Sequence, residues 1–149
     1  MPETRNEFSW QTRVYWEDTD GGGVVYHANY LRFLERARTE WLRFKGIDQR
    51  QLVEQQRIAF VVIEMQLQFV KAARLDDILT VTVLPTDRRQ ASFQVDQEVI
   101  GEATGHTLCR ARVDIACIDS EAFRPRRIPA EIRTIIDEGI ESPDKAETK

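Results

Sequence analysis

The sequence is short of the residues that build disulfide frameworks and zinc sites. Its 149 residues include two cysteines, Cys109 and Cys117, and two histidines, His27 and His106. If both cysteines lie on one strand, about 26 Å separates them, whereas a disulfide needs Cα atoms within about 7 Å. The spacing of these four residues matches no zinc signature. We therefore expect two buried, reduced thiols in a cytoplasmic protein, and no bound metal.

Long apolar runs and an excess of one charge are also missing. No segment approaches the ~20 apolar residues of a membrane helix, so we expect no membrane span. The N-terminal residues lack the basic and apolar regions of a secretory signal. The chain has 21 basic and 25 acidic residues, a formal charge of −4, which argues against a nucleic-acid partner. With 42% apolar and 31% charged residues, the composition is that of one globular domain.

Apolar periodicity predicts the first strand and a long helix. Alternation of apolar and polar residues predicts a strand over 8–17, in which Trp16 shares one face with Phe8, Trp10, Thr12 and Val14. The period then changes to that of an amphipathic helix over about 28–45, which Asn29 or His27 caps and Gly46 ends. The apolar face of this helix comprises Tyr30, Leu34, Ala37, Trp41 and Phe44.

The rest of the chain predicts four strands and a short helix. The predicted strands cover 60–71, 79–83, 93–99 and 109–117. Pro129 near a first turn and Gly139 just past an end mark a C-terminal helix over 129–138. This order predicts a single α+β domain over 8–140, in which the long helix covers one face of the sheet. We expect the tails, 1–7 and 141–149, to be flexible.

The most unusual segment is the loop between the first strand and the long helix. Asp18 and Asp20 stand beside three glycines, directly before the helix. A helix start offers unpaired N–H groups and a partial positive charge, which polarise a carbonyl oxygen. A carboxylate at the same place supplies a base or a nucleophile, so the loop holds the parts of a hydrolysis site. The alternative is a plain turn, because aspartates in glycine-rich loops are usually turn residues.

The sequence pattern excludes several other kinds of functional site in or near this loop. With Asp18 at the first position of a calcium loop, the last position is Asn29 rather than glutamate. The glycines precede no Lys-Ser or Lys-Thr, which excludes a P-loop. The chain has no G-x-S-x-G nucleophile elbow, and neither cysteine has a histidine at a telling spacing. Taken alone, His27 is more often a helix cap or a surface residue than a functional one.

Residues 13–30, RVYWEDTDGGGVVYHANY, resemble the signature of the 4-hydroxybenzoyl-CoA thioesterase branch of the hot-dog superfamily. Further similarity, to the bacterial subgroup associated with the Tol–Pal cell-envelope system, lies in 35–40, 60–62, 73–77 and 125–129. The resemblance covers residues 10–130. It implies a hot-dog fold, in which a curved antiparallel sheet wraps a long helix (β-α-β-β-β-β plus a short C-terminal helix). It also implies a homodimer or homotetramer with active sites at the subunit boundary.

The resemblance assigns roles to residues of the loop. Asp20 matches the catalytic carboxylate, and the N–H that polarises the thioester carbonyl maps to about His27, whose side chain accompanies the aspartate. The implied reaction is hydrolysis of an acyl-CoA with a short, aromatic or long acyl group, with no cofactor beyond the CoA of the substrate. Two residues depart from the family pattern. Trp16 stands where many members have tyrosine, and Gly21 stands where alanine or proline is more common. Residues implied to line the substrate site are Gly23, Val25 and Tyr26.

Two arginine groups are candidates for the phosphates of CoA, because guanidinium forks match phosphate oxygens. Arg88 and Arg89 form one group in a turn between strands. The other group, after the last strand, comprises Arg124, Arg126 and Arg127. A solubilising surface is the alternative for both groups. Glu35 on the helix is the next candidate carboxylate should Asp20 have no catalytic role.

The competing function is a non-catalytic scaffold linked to the Tol–Pal system. Such a protein would bind acyl groups or acyl carrier protein, with phospholipid-synthesis enzymes as further partners. The presence of Asp20 favours catalysis, because a scaffold does not need that carboxylate. A hot-dog dehydratase would need a central-strand histidine and a helix carboxylate in a different motif, which the sequence lacks.

Overall fold

The structure, a computed structural model, describes residues 8–147, with side chains as far as residue 141. Five antiparallel strands form one sheet in the order β1-β3-β4-β5-β2. The strands are β1 Phe8–Arg13, β2 Ile58–Phe69, β3 Ile78–Arg88, β4 Ser92–Gly101 and β5 Thr107–Asp119. The helices are α1 Tyr30–Phe44, α2 Gln49–Gln51, which runs into a π-helical turn, and α3 Ala130–Glu147. None of these helices is long and apolar enough to cross a membrane within the described range.

Helix α1 covers one face of the sheet, as its apolar periodicity predicts. Its buried residues are Tyr30, Phe33, Leu34, Ala37, Trp41 and Leu42. Phe44, predicted on this face, is instead 73% exposed, because the last turn of α1 reaches the sheet edge, where the ring packs at 5.6 Å on Phe8 of β1. Gly46 follows with a φ of +88°, the left-handed conformation that ends helices.

Alternation along β3, β4 and β5 places one set of side chains in the core. These buried residues include Leu79, Val81, Val83, Phe93, Val95, Val99, Val113 and Ile115. Cys109 and Cys117 point to the same core and form no disulfide. Burial raises the pKa of both thiols to about 11. The predictions of one buried sheet face and two buried, unbridged thiols are confirmed.

The first strand is shorter than the sequence predicts. β1 ends at Arg13, and the chain then turns, with the Val14 N–H donating to the Asp77 carbonyl at 2.8 Å. A 3₁₀ turn over Trp16–Asp18 follows. Trp16 therefore does not continue the strand, and it is 79% exposed. The predicted strand is wrong beyond residue 13.

The C-terminal helix is longer than the sequence predicts. α3 passes through Gly139, which we expected just past its end. A Cβ at Gly139 would lie 2.8 Å from Cγ of Pro85, so this glycine lets α3 pack closely on β3 rather than ending the helix. The backbone of 141–147, expected in a tail, continues α3. The predicted tails 1–7 and 148–149 lie outside the described residues.

Candidate active site

The loop between β1 and α1 is a compact hairpin with glycines at its tip. Thr19 and Val25 pair as an antiparallel bridge across it. At the tip, the Gly23 N–H donates to the Asp20 carbonyl at 3.3 Å. Gly23 has a φ of +82°, which glycine adopts without the steric cost of a side chain. The three-glycine run therefore allows a sharp turn directly beside Asp20.

This hairpin is docked on the segment that follows β2. The Val25 N–H donates to the Ala73 carbonyl at 2.8 Å, and Val24 forms a bridge with Arg74. The hydroxyl of Tyr30, at the start of α1, accepts from the Ala73 N–H at 3.1 Å. The side chain of Val25 is buried in the core. Val25, predicted to contact substrate, thus anchors the loop through its backbone and its side chain.

The two aspartates of the loop have different surroundings. Asp18 is 7% exposed, and its two oxygens accept from the Tyr15 N–H at 2.8 Å and the Asn29 side-chain amide at 2.7 Å. Asp20 is exposed, and its Oδ1 accepts from the Gly22 N–H at 2.8 Å. Asp18 therefore holds the loop to the helix start, whereas Asp20 presents a carboxylate to solvent. Among the described residues, no cluster of His, Cys, Asp or Glu is placed to hold a metal ion.

The start of α1 lies beside this loop. A 3₁₀ turn over His27–Asn29 leads into the helix. Asn29 occupies the predicted N-cap position, but its side chain bonds to Asp18 and makes no capping hydrogen bond. The first N–H groups of a helix have no acceptor within it and carry a partial positive charge. The Asn29 N–H already donates to the Tyr26 carbonyl at 2.8 Å, so a carbonyl oxygen placed at this turn would meet the N–H groups of His27 and Ala28.

An aromatic surface borders the helix start. The His27 ring lies 4.6 Å from the ring of Tyr26 and 6.2 Å, edge-on, from that of Phe69 at the end of β2. Tyr26 and Phe69 are each about half exposed. Four of the residues predicted from the sequence, Asp20, Gly23, Tyr26 and His27, lie in this loop and at the helix start, where the rings of Tyr26 and His27 are neighbours.

The two predicted arginine groups lie together at the opposite end of the sheet. The Ile128 N–H donates to the Gln90 carbonyl at 2.9 Å, so the β3–β4 turn packs against the segment after β5. Along β5, Cys109 pairs with Phe69 at the end of the sheet near the loop, whereas Cys117 lies at the end near the arginines. At ~3.3 Å per residue, about 26 Å of strand separates the two ends. Within one chain, the arginines are therefore remote from Asp20.

These arginines differ in what they already contact. Arg88 donates to both oxygens of Asp137 on α3, at 2.6 and 3.1 Å, and this hydrogen-bonded pair raises the pKa of Arg88. Arg126 faces the Asp119 carboxylate at 3.4 Å. Arg89 lies exposed on the surface. Arg88 thus ties α3 to β3, which leaves Arg89 the more accessible member of its group.

A buried polar side chain on β4, which the sequence pattern does not predict, contacts α1. Gln97 is 1% exposed; its amide donates to the Leu34 carbonyl at 3.1 Å and accepts from Arg38 at 3.0 Å. In the sequence, Gln97 occupies the position between Val95 and Val99 where the alternation would place an apolar core residue, and this interruption is the only local sign of the contact. Arg38 lines, with Glu35, a cavity of about 140 Å³ between α1 and the sheet. Glu35, the second candidate carboxylate, lines this cavity and lies beyond the first turn of α1.

The fold and the loop define a class of protein. The chain matches the Thioesterase-like superfamily over residues 14–136 and belongs to that superfamily. It is 42% identical over 128 residues to the acyl-CoA thioesterase YbgC of Haemophilus influenzae. This match covers 86% of the present chain and 93% of the relative.

Solved structures share the architecture. A probable thioesterase from Bartonella henselae is 38% identical with a TM-score of 0.78, over 83% of this chain and 99% of that chain. A 1,4-dihydroxy-2-naphthoyl-CoA thioesterase from Synechocystis is 25% identical with a TM-score of 0.83, over 89% of this chain and 97% of that chain. The resemblance found in residues 13–30, and the hot-dog fold that it implies, are confirmed.

Proposed function

We propose that this protein is an acyl-CoA thioesterase, which hydrolyses the thioester of an acyl-CoA to a free acid and CoA. The observation that carries the proposal is the exposed Asp20 carboxylate on a glycine-tipped loop beside the first turn of α1. A base or nucleophile next to helix N–H donors is what thioester hydrolysis requires. The activity in the name of the Haemophilus relative supports the same reaction. The reaction needs no cofactor beyond the CoA of the substrate.

In the proposed mechanism, the thioester oxygen points at the N–H groups of His27 and Ala28 in the first turn, which stabilise the negative charge that develops on it. Asp20 either removes a proton from the attacking water or attacks the carbonyl carbon itself, forming a mixed anhydride that water then hydrolyses. Both routes break the carbon–sulfur bond, and the CoA thiolate takes up a proton. The His27 side chain positions substrate or water, and Tyr26 borders the acyl group.

The proposal extends to a homodimer, because one chain leaves the arginines remote from the loop. β2 is an edge strand of 12 residues, on which Val62 and Ile63 are 44% and 62% exposed. A long apolar edge strand favours pairing with another strand. Two-fold pairing of β2 with its own copy is antiparallel, so the Ile58 end of one protomer meets the Phe69 end of its partner. The arginines of one protomer then lie near the loop of the other. Two such dimers would make a homotetramer.

The proposed location is the cytoplasm. The two unbridged thiols suit a reducing compartment. Candidate partners are acyl carrier protein, phospholipid-synthesis enzymes and the Tol–Pal system. The support for these partners is the similarity of residues 35–40 and 125–129 to the Tol–Pal-associated subgroup.

Release of free thiol from short, aromatic and long acyl-CoAs tests the proposed reaction. We expect release from at least one of these substrates, and the ratio of kcat/KM values across the panel gives the acyl preference. No release from any acyl-CoA, combined with tight binding of acyl carrier protein, would instead support the non-catalytic scaffold. Analytical ultracentrifugation of the same preparation gives the oligomeric state.

A further inference from the structure

The turn after β5 presents an aromatic ring to solvent. Phe123 lies in this turn with 74% of its side chain exposed and a backbone φ of +56°. Such a φ is unfavourable for a bulky residue, and glycine or asparagine is the usual occupant. Neither burial nor the needs of the turn account for a phenylalanine here. An outlier of this kind points to a function for the side chain.

The turn is held from its base by Asp119. One oxygen of its carboxylate accepts from the N–H groups of Glu121 at 2.9 Å and Ala122 at 2.8 Å, and the other faces Arg126 at 3.4 Å. These backbone hydrogen bonds hold the pKa of the Asp119 carboxyl below its usual range. The Phe123 N–H donates to the Asp119 carbonyl at 2.8 Å. The ring is therefore displayed by a preorganised backbone, which reduces the entropy lost on binding.

Exposed arginines follow this ring in the sequence. Arg124 follows it directly, and both Arg124 and Arg127 are exposed. In the part of the chain that the structure describes, neither of them forms an ion pair. Arg57, which directly precedes β2, lies 3.6 Å from the Glu121 carboxylate. An exposed apolar ring on the same segment as two exposed arginines without ion pairs suits a ligand that joins an aromatic base to phosphates.

We propose that Phe123 stacks on the adenine of bound CoA while Arg124 and Arg127 bind its phosphates. This inference rests on the proposed acyl-CoA hydrolysis and on the dimer formed through β2, in which this turn approaches the partner's catalytic loop. The nucleotide of one CoA then contacts one protomer and its thioester the other. Phe123 is thereby a specificity residue, which favours acyl-CoA over thioesters that lack the nucleotide.

Kinetics with two kinds of substrate test this role. Because stacking on one aromatic side chain contributes appreciably per base, Phe123→Ala should raise KM for acyl-CoA about tenfold with kcat unchanged. KM for the same acyl group on pantetheine, which has no adenine, should stay at the wild-type value. Phe123→Tyr keeps the ring and should retain the wild-type KM. An unchanged KM for acyl-CoA in Phe123→Ala, or an equal rise with acyl-pantetheine, would overturn the proposal.

The matched control is Phe44→Ala, because Phe44 is equally exposed at 73% but lies at the end of α1. It should leave both KM values unchanged. Isothermal titration calorimetry with free CoA measures nucleotide binding without any reaction, so it tests the stacking role independently of the proposed hydrolysis. Even if no thioester were hydrolysed, weaker CoA binding by Phe123→Ala than by wild type and Phe123→Tyr would support the stacking. Equal binding by all three, or none by the wild type, would contradict it.

Discussion

Asp18 and Asp20 stand two positions apart, yet the fold gives them different tasks. Asp18 is buried and accepts one donor on each oxygen, whereas Asp20 is exposed and accepts from the backbone N–H of Gly22. The sequence places both beside glycines and offers no local means of separating them. What separates them is the amide of Asn29, 11 residues from Asp18, whose contact with Asp18 exists only after the chain folds.

The contrast predicts that the same substitution lowers the stability at Asp18 but not at Asp20. In Asp18→Asn, an NH₂ group replaces one of the two carboxylate oxygens. Either the Tyr15 N–H or the Asn29 amide then loses its acceptor. We expect a loss of about 1–3 kcal/mol in the free energy of unfolding, the usual cost of a buried unsatisfied group. Asp20→Asn keeps an acceptor for Gly22 and should leave the stability close to wild type. Urea denaturation measures both, and equal stability of the two variants would contradict this assignment.

The two thiols predict a chemical property of single residues. Burial raises the pKa of Cys109 and Cys117 to about 11, so the thiolate is scarce near neutral pH. In native protein at pH 7.5, we expect negligible reaction with a disulfide reagent over the time of an activity assay. After denaturation both thiols should react. Rapid reaction of either cysteine in the folded enzyme would show that the core is open at that position.

At the scale of elements, the sequence predicts what depends on local periodicity. The span of α1 and the buried faces of β3, β4 and β5 follow from spacings of 3.6 and 2, because each periodicity directly gives a face. Contacts between distant segments carry no such signal. Phe44 fits the apolar face of α1 but lies past the sheet edge, and only the three-dimensional packing shows this. The joining of the two arginine groups likewise depends on how β4 and β5 pair.

Gly139 shows the same limit and gives a prediction at this scale. Glycine near a predicted helix end indicates a stop, but here it allows α3 to pack against Pro85, where a Cβ would lie 2.8 Å away. In an exposed helix, glycine to alanine stabilises by about 1 kcal/mol. At this contact we expect Gly139→Ala to destabilise, by roughly 1–3 kcal/mol, because overpacking displaces the helix.

The control for this substitution is Glu138→Ala, one position earlier and exposed. It should change the melting temperature little in either direction. A Gly139→Ala variant that melts above the wild type would mean that α3 does not pack tightly on β3.

At the scale of the whole molecule, the proposed dimer joins two halves of one site. Ile63→Lys introduces a charge at the most exposed apolar position of β2, where like charges would face each other across the two-fold axis. We expect sedimentation to show monomers, with hydrolysis falling in parallel. Val53→Lys, at an exposed position outside β2, should remain dimeric and active. A fully active monomer would contradict the shared site.

The most direct test of the account is kcat for acyl-CoA hydrolysis by Asp20→Asn beside the wild type. Glu17→Gln, an exposed carboxylate outside the hairpin tip, is the matched control and should retain activity. If Asp20 is the base or nucleophile, kcat of Asp20→Asn falls by about 10²-fold or more while the fold is retained. Turnover close to that of the wild type would remove Asp20 from the reaction and leave Glu35 as the next carboxylate to test.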